Sequence, residues 1–137
     1  MIRQAGPGDC QRVIAIRDAP GEHPLCDPSA LADADATRFI AAGTLLLWED
    51  AAGVVTGFIA LDLQNGAVTA LLVAAGHDGK GVGRALLAAG CDALRQAGHA
   101  AATLALASSH PAERHYRAAG WVVGKTETGE VVLQKTL

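Results

Sequence analysis

The sequence predicts one α+β domain, a mostly antiparallel sheet flanked by helices. Three observations carry this prediction. The chain has 137 residues, 50% of them hydrophobic and 18% charged, which suits one buried core and is too short for two ordinary domains. Three strand-like runs follow one another between residues 44 and 73, separated only by turn residues, as in an antiparallel meander. Helical and extended patterns then alternate, giving the order β-α-α-β-β-β-α-β-α-β-β with no internal repeat, linker or low-complexity tract.

Taken in order, Ile2 to Ala5 reads as a short strand ended by Gly6-Pro7-Gly8. Asp9 stands as an N-cap before a helix carrying Val13, Ile14 and Ile16. The stretch Ala19 to Pro24 breaks that helix into a loop. Asp27-Pro28 reads as an N-cap with Pro at the first helical position, opening a helix that stops at Gly43. Its apolar positions are Leu31, Ala34, Phe39 and Ala42. Thr44–Trp48, Val54–Leu63 and Ala67–Val73 are the meander strands, with Gln64-Asn65-Gly66 as a hairpin turn. A glycine cluster from Gly79 to Gly83 opens a helix reaching about Ala97, with Val82, Leu86, Ala89, Ala93 and Ala97 at helical spacing. Thr103–Ala107 reads as a strand and Pro111–Ala119 as a short helix stopped by Gly120. Trp121–Val123 and Val131–Leu133 form a terminal strand pair around Thr128-Gly129.

Composition narrows the function classes. Eleven Lys and Arg against 14 Asp and Glu leave a net charge of −3, so nothing general draws the chain to nucleic acid or an acidic membrane. Aromatics make up 4%, too few for base-stacking platforms. Cys10, Cys26 and Cys91 are odd in number, widely spaced and without Cys-x-x-Cys, so they read as reduced thiols. Met1 to Pro7 has no apolar signal core, and no apolar run nears the ~18 residues that span a bilayer. A cytoplasmic protein without a membrane partner is expected. His110 and His115 would lie about 140° apart on a helix, poorly placed to share a metal, so no metal site is expected. Neither Ser108 nor Ser109 sits in a Gly-x-Ser-x-Gly elbow.

The most informative segment is the apolar strand ending at Leu72-Val73, followed by Asp78-Gly79-Lys80-Gly81-Val82-Gly83-Arg84. Glycines let a ligand approach the backbone, and the helix start offers unpaired N–H groups at a positive dipole end. Lys80 and Arg84 add charge, so the segment suits a phosphate. It is not a P-loop, because Gly81 follows Gly79-Lys80 where Ser or Thr is needed. Nor is it a Rossmann fingerprint, because Leu86 stands where the third small residue belongs.

This turn resembles that of the GNAT superfamily of acyl-CoA N-acyltransferases, Gln/Arg-x-x-Gly-x-Gly/Ala, except that Asp78 replaces the first residue. Ser109-His110-Pro111-Ala112-Glu113-Arg114-His115-Tyr116-Arg117-Ala118-Ala119-Gly120-Trp121 resembles a second family segment, Asn-x-x-Ala-x-x-x-Tyr-x-x-x-Gly-Phe. Ala112, Tyr116 and Gly120 match, while Ser109 stands for Asn and Trp121 for Phe. The resemblance implies a single N-acetyltransferase domain over residues 1–137 with acetyl-CoA as acyl donor. It implies pyrophosphate on Asp78, Gly79, Lys80, Gly81, Val82, Gly83 and Arg84, and pantetheine along Leu72 and Val73 in a cleft between splayed strands. Ser109 would contact the donor. The backbone N–H near Val73 would polarise the thioester carbonyl, and Tyr116 would protonate the departing thiolate. For Tyr116 a purely packing role stays open.

A small-molecule or peptide amine would be the acceptor, and the family is compatible with a homodimer. Family members often place a Glu on the strand before the glycine turn, whereas this chain has Thr69 and Ala70 there. Asp62, Glu22 and His23 remain as alternatives, and no base is assigned. The acceptor would lie near Gly21–Pro28 and Thr126–Glu130, where Glu22, Asp27, Glu127 and Glu130 suit a cation or merely face solvent. A non-catalytic acyl-CoA-binding or regulatory domain of the same fold is the alternative function.

Overall fold

The computed structural model describes residues 1–19, 31–77 and 80–137. Strands β1 (Ile2–Gln4), β2 (Leu45–Glu49), β3 (Val55–Asp62), β4 (Ala67–Val73), β5 (Ala101–Ala107), β6 (Val122–Glu127) and β7 (Glu130–Thr136) form one sheet. Its order is β1-β2-β3-β4-β5-β7-β6. Every neighbouring pair is antiparallel except β4 and β5, which are parallel. Helices α1 (Cys10–Asp18), α2 (Asp33–Ala42), α3 (Val82–Gln96) and α4 (Ala112–Ala118) complete the expected order.

Alternation along the strands sends side chains to two separate cores. Ile59, Leu71, Val73, Leu104 and Leu133 pack with Leu86 of α3 and Tyr116 of α4 on one face. Phe58, Ala70 and Leu72 pack with Val13 and Ile16 of α1 and Phe39 of α2 on the other. Each fully buried Leu, Ile or Phe contributes about 1.5–3 kcal/mol through removal from water.

Several local expectations are corrected. A short 3-10 helix, Pro7–Asp9, precedes α1, and the Asp9 carboxylate accepts the Gly6 N–H at 2.8 Å and pairs with Arg3. Asp9 holds the N-cap position of α1 without a side-chain cap bond. Asp27 and Pro28 lie outside the described residues. Helix α2 begins at Asp33, because Ala32 is extended with ψ 160°. Its buried residues are Ala36, Phe39 and Ile40 instead of Ala34 and Ala42. Helix α3 buries Val82, Leu86, Leu87, Gly90 and Leu94 instead of the alanine row at 89, 93 and 97. Gly90 explains the rotation. A Cβ there would stand 2.7 Å from Ile59 Cδ1, so glycine lets the helix approach the sheet. Helix α4 starts at Ala112 with Pro111 as its N-cap, one residue later than expected.

Candidate functional site

β4 and β5 meet at one register point among the described residues, Ala67 opposite Thr103, where the Thr103 N–H donates to the Gly66 carbonyl at 3.0 Å. Beyond it the strands part. A register shift in β4 accompanies this. Ala60 opposes Ala70 and Leu61 opposes Val68, so Thr69 is the extra residue of a β-bulge. Bulges bend a strand and increase its twist, which turns β4 away from its parallel neighbour. Further along, the Ala74 N–H donates to the Thr56 carbonyl at 2.7 Å. Ladder alternation then directs the Val73 N–H and C=O away from β3, into the gap. The Leu72 and Val73 side chains are buried on opposite faces, leaving backbone to line the opening.

The opening leads to the start of α3. Gly81 is its N-cap in the left-handed conformation, φ 82°, and a Cβ there would meet nothing within 4 Å. Backbone conformation, and not crowding, therefore favours glycine here. The Ala85 N–H donates to the Gly81 carbonyl at 3.0 Å as the first helical bond. The N–H groups of Val82, Gly83 and Arg84 precede it and have no acceptor inside the helix. Val82 is buried and anchors the turn, while Lys80 and Arg84 are exposed. No acidic residue lies in the first turn of α3. The positive end of this 15-residue helix thus has two exposed cations next to it in the chain. Asp78 and Gly79 lie outside the described residues.

Two cavities flank α4. One of 440 Å³ lies between α3 and α4 and is lined by Arg84, Leu87, Cys91, His115 and Lys135. Burial pushes the Cys91 thiol above its ordinary pKa, so it is a poor nucleophile there. The other, of 770 Å³, is lined by Ser109, His110, Glu113, Arg114 and Arg117. Ser109 has φ 66°, a left-handed conformation that non-glycine residues seldom adopt and Asn tolerates best. His110 Nδ1 accepts the Ala112 N–H at 3.0 Å, so in the neutral ring the proton sits on Nε2.

Tyr116 lies in the core, 1% exposed, with ring edges against His115 and Trp121 at 5.5 Å and 5.9 Å between centroids. Its packing role is therefore real, whatever its hydroxyl does. Trp121 Nε1 is buried without a hydrogen-bond partner among the described residues. Asp62 serves its own hairpin. Its Oδ1 accepts the Gln64 and Asn65 N–H groups at 3.0 Å each, and Oδ2 accepts the Asn65 side-chain amide at 2.8 Å. Led by the Asn65 side chain, these bonds hold its carboxyl below the ordinary pKa, which makes it a weak base. Glu22 and His23 lie outside the described residues.

Gly57 is a site residue that the sequence reading passed over. It pairs with Val73, and a Cβ there would stand 2.9 Å from Val82 Cγ1 and 3.1 Å from the Leu72 carbonyl oxygen. A lone glycine inside a strand pattern was the available signal of close approach. Cys10 and Cys91 are free thiols. Among the described residues no three His, Cys, Asp or Glu side chains gather as a metal set, and no helix is long and apolar enough to cross a membrane.

The profile of the acetyltransferase (GNAT) domain matches residues 26–131, and the chain belongs to that family. No curated protein matches the chain. Among solved structures it is similar to yncA of Salmonella typhimurium, solved with its cofactor acetyl-CoA, at 22% identity and TM-score 0.69, covering 100% of this chain and 93% of that one. It is also similar to the PaiA N-acetyltransferase of Thermoplasma acidophilum, in complex with coenzyme A, at 13% identity and TM-score 0.75, covering 100% and 98%. A GCN5-related N-acetyltransferase of Kribbella flavida matches at 22% identity and TM-score 0.77, covering 100% and 97%.

Proposed function

We propose that the protein is an N-acetyltransferase that moves an acetyl group from acetyl-CoA to a primary amine by direct attack. The observation that carries this is the parting of β4 and β5 after Ala67 and Thr103, beside the open N-terminus of α3. An extended amide chain fits between separated strand edges, and a pyrophosphate fits the N–H groups of Val82, Gly83 and Arg84, which have no acceptor within the helix. Relatives of this fold solved with acetyl-CoA or coenzyme A support the choice of donor.

The roles follow from position. Lys80 and Arg84 attract the phosphates, and the glycine turn with Asp78 and Gly79 cradles them. Leu72, Val73 and Ser109 align the pantetheine. The Val73 N–H stabilises the oxygen of the thioester carbonyl as it becomes an oxyanion. The amine loses its ammonium proton to solvent and attacks the carbonyl carbon. The C–N bond forms, the C–S bond breaks, the Tyr116 hydroxyl gives its proton to the departing thiolate, and the second proton shed by the nitrogen as it becomes an amide returns through solvent to restore that hydroxyl.

One observation favours a second reading, a domain that binds acyl-CoA without catalysis. No residue of β4 is a carboxylate, and Asp62 is held in its turn. The experiment that separates the two is CoA thiol release from acetyl-CoA across a broad panel of primary amines. Amine-dependent release supports transfer, and tight acetyl-CoA binding without release across the panel supports the second reading.

A further inference from the structure

The sheet face opposite α3 and α4 carries a trough of 660 Å³. α1 and α2 pack over β2, β3 and β4 on that face. The trough lies beyond them, along the line where β4 and β5 part, between Ala67–Thr69 of β4 and Thr103–Ala107 of β5. Its floor is narrow in side chain: Thr103, Ala105 and Ala107 alternate with the buried Ala102, Leu104 and Leu106. Val132 opposes Ala105, and Glu130 opposes Ala107, so both stand on the trough side of β7. Lys125 opposes Val132 and shares this side.

Only three charges stand on this wall among the described residues, Lys125, Glu127 and Glu130. Lys125 Nζ pairs with Glu127 Oε1 at 2.9 Å, and that bond is the main cause raising the lysine pKa. The pair is neutral in sum. Glu130 has no ion pair among the described residues, so its carboxylate sets the sign of the trough at −1. It lies outside the donor surface at α3, on the opposite side of the sheet.

We infer that Glu130 selects the acceptor, and that the acceptor is a small amine bearing a second positive charge. This rests on the acetyl-transfer reading above. The reacting nitrogen must be unprotonated when it attacks, and Glu130, at the start of β7 opposite Ala107, is assigned to a charged group other than that nitrogen. The group that stays against Glu130 is therefore a second ammonium. The walls of alanine and threonine leave room for an alkyl chain between the parted strands.

The test uses putrescine, butylamine and gamma-aminobutyrate, which share one primary amine and a chain of similar length. They differ at the far end in charge: positive, absent and negative. CoA thiol release is measured with wild type and Glu130→Gln, and acetyl-CoA binding is measured separately by calorimetry. Wild type is expected to favour putrescine over gamma-aminobutyrate in kcat/KM by about tenfold or more, attraction and repulsion acting together. In Glu130→Gln the ratio is expected to fall below about threefold, with acetyl-CoA affinity unchanged. A wild type without the preference, or a Glu130→Gln protein that keeps it, overturns the inference. Acetyl-CoA binding with none of the three amines turned over also overturns it, while leaving the donor site standing. If acetyl-CoA itself does not bind, the acetyl-transfer reading falls first.

Discussion

Ala67 and Thr103 stand opposite each other at the single meeting point of β4 and β5 among the described residues. Two parallel strands that stayed paired would hide their edges from any ligand. Here the bulge at Thr69 bends β4 two residues after the contact, and the backbone of Val73 is left facing a gap. A packing irregularity in one strand thus creates the opening that the proposed chemistry needs.

Gly57 keeps that opening in register with α3. Gly57→Ala should destabilise the fold by about 1–3 kcal/mol, because its Cβ meets the Leu72 backbone and the buried Val82 and Leu86. Urea midpoints of the two proteins measure this. The Leu72 carbonyl cannot rotate aside as a side-chain end can, so an unchanged midpoint would mean the strands separate more easily than their packing implies.

At the start of α3, Gly83→Glu should place a bulky anion beside the free N–H groups. Acetyl-CoA affinity by calorimetry should fall at least tenfold, about 1.4 kcal/mol. A folded Gly83→Glu protein with unchanged affinity would remove the phosphate site from this turn. Asp78→Gln should act in the opposite sense, tightening CoA binding by an amount that shrinks as salt is raised.

Asp62 gives a pH test. Its folded pKa is lowered, chiefly by Asn65, so the ionised carboxylate contributes stability above its unfolded value near ~3.9. That contribution is lost as pH falls through the lower folded value. Asp62→Asn should therefore flatten the acid limb of stability in thermal melts below about pH 4, while kcat for acetyl transfer stays within about threefold. A larger loss of kcat would return Asp62 to consideration as the base.

Tyr116 separates packing from acid catalysis. Tyr116→Phe retains the ring against His115 and Trp121 and removes the hydroxyl. As the proposed acid for a thiolate of pKa near ~8.5, it should cost roughly 10- to 100-fold in kcat and move the CoA dissociation constant less than about threefold. Steady-state kinetics with calorimetry reads both. If the melting temperature and CoA affinity collapse together, the hydroxyl has a structural role and is not the acid.

What was legible in the sequence has a physical pattern. β4 was read with its observed bounds because Asn65-Gly66 and the glycine turn punctuate both its ends. The proposed phosphate surface is legible because glycines and cations lie next to each other in the chain. Helix α3 was placed correctly but its buried face was not. Alanines score as apolar at any position, and the close approach at Gly90 depends on Ile59 of a distant strand. The parting of β4 and β5 left no signature either, since Thr69 is an ordinary strand residue and a bulge is a matter of register. Asp62 was read as a candidate base because its partner Asn65 is visible as a turn residue and not as a hydrogen-bond donor.

The central claim is that acetyl-CoA lies across the Val73 backbone and the first turn of α3. The most direct measurement follows the backbone amide signals of Val73, Val82, Gly83 and Arg84 by NMR as acetyl-CoA is added. The account predicts saturable shifts at all four, with one common dissociation constant, and weaker shifts at Gly83 and Arg84 in Gly83→Glu. Saturating acetyl-CoA that leaves these four amides unmoved, or moves a separate surface instead, would contradict it.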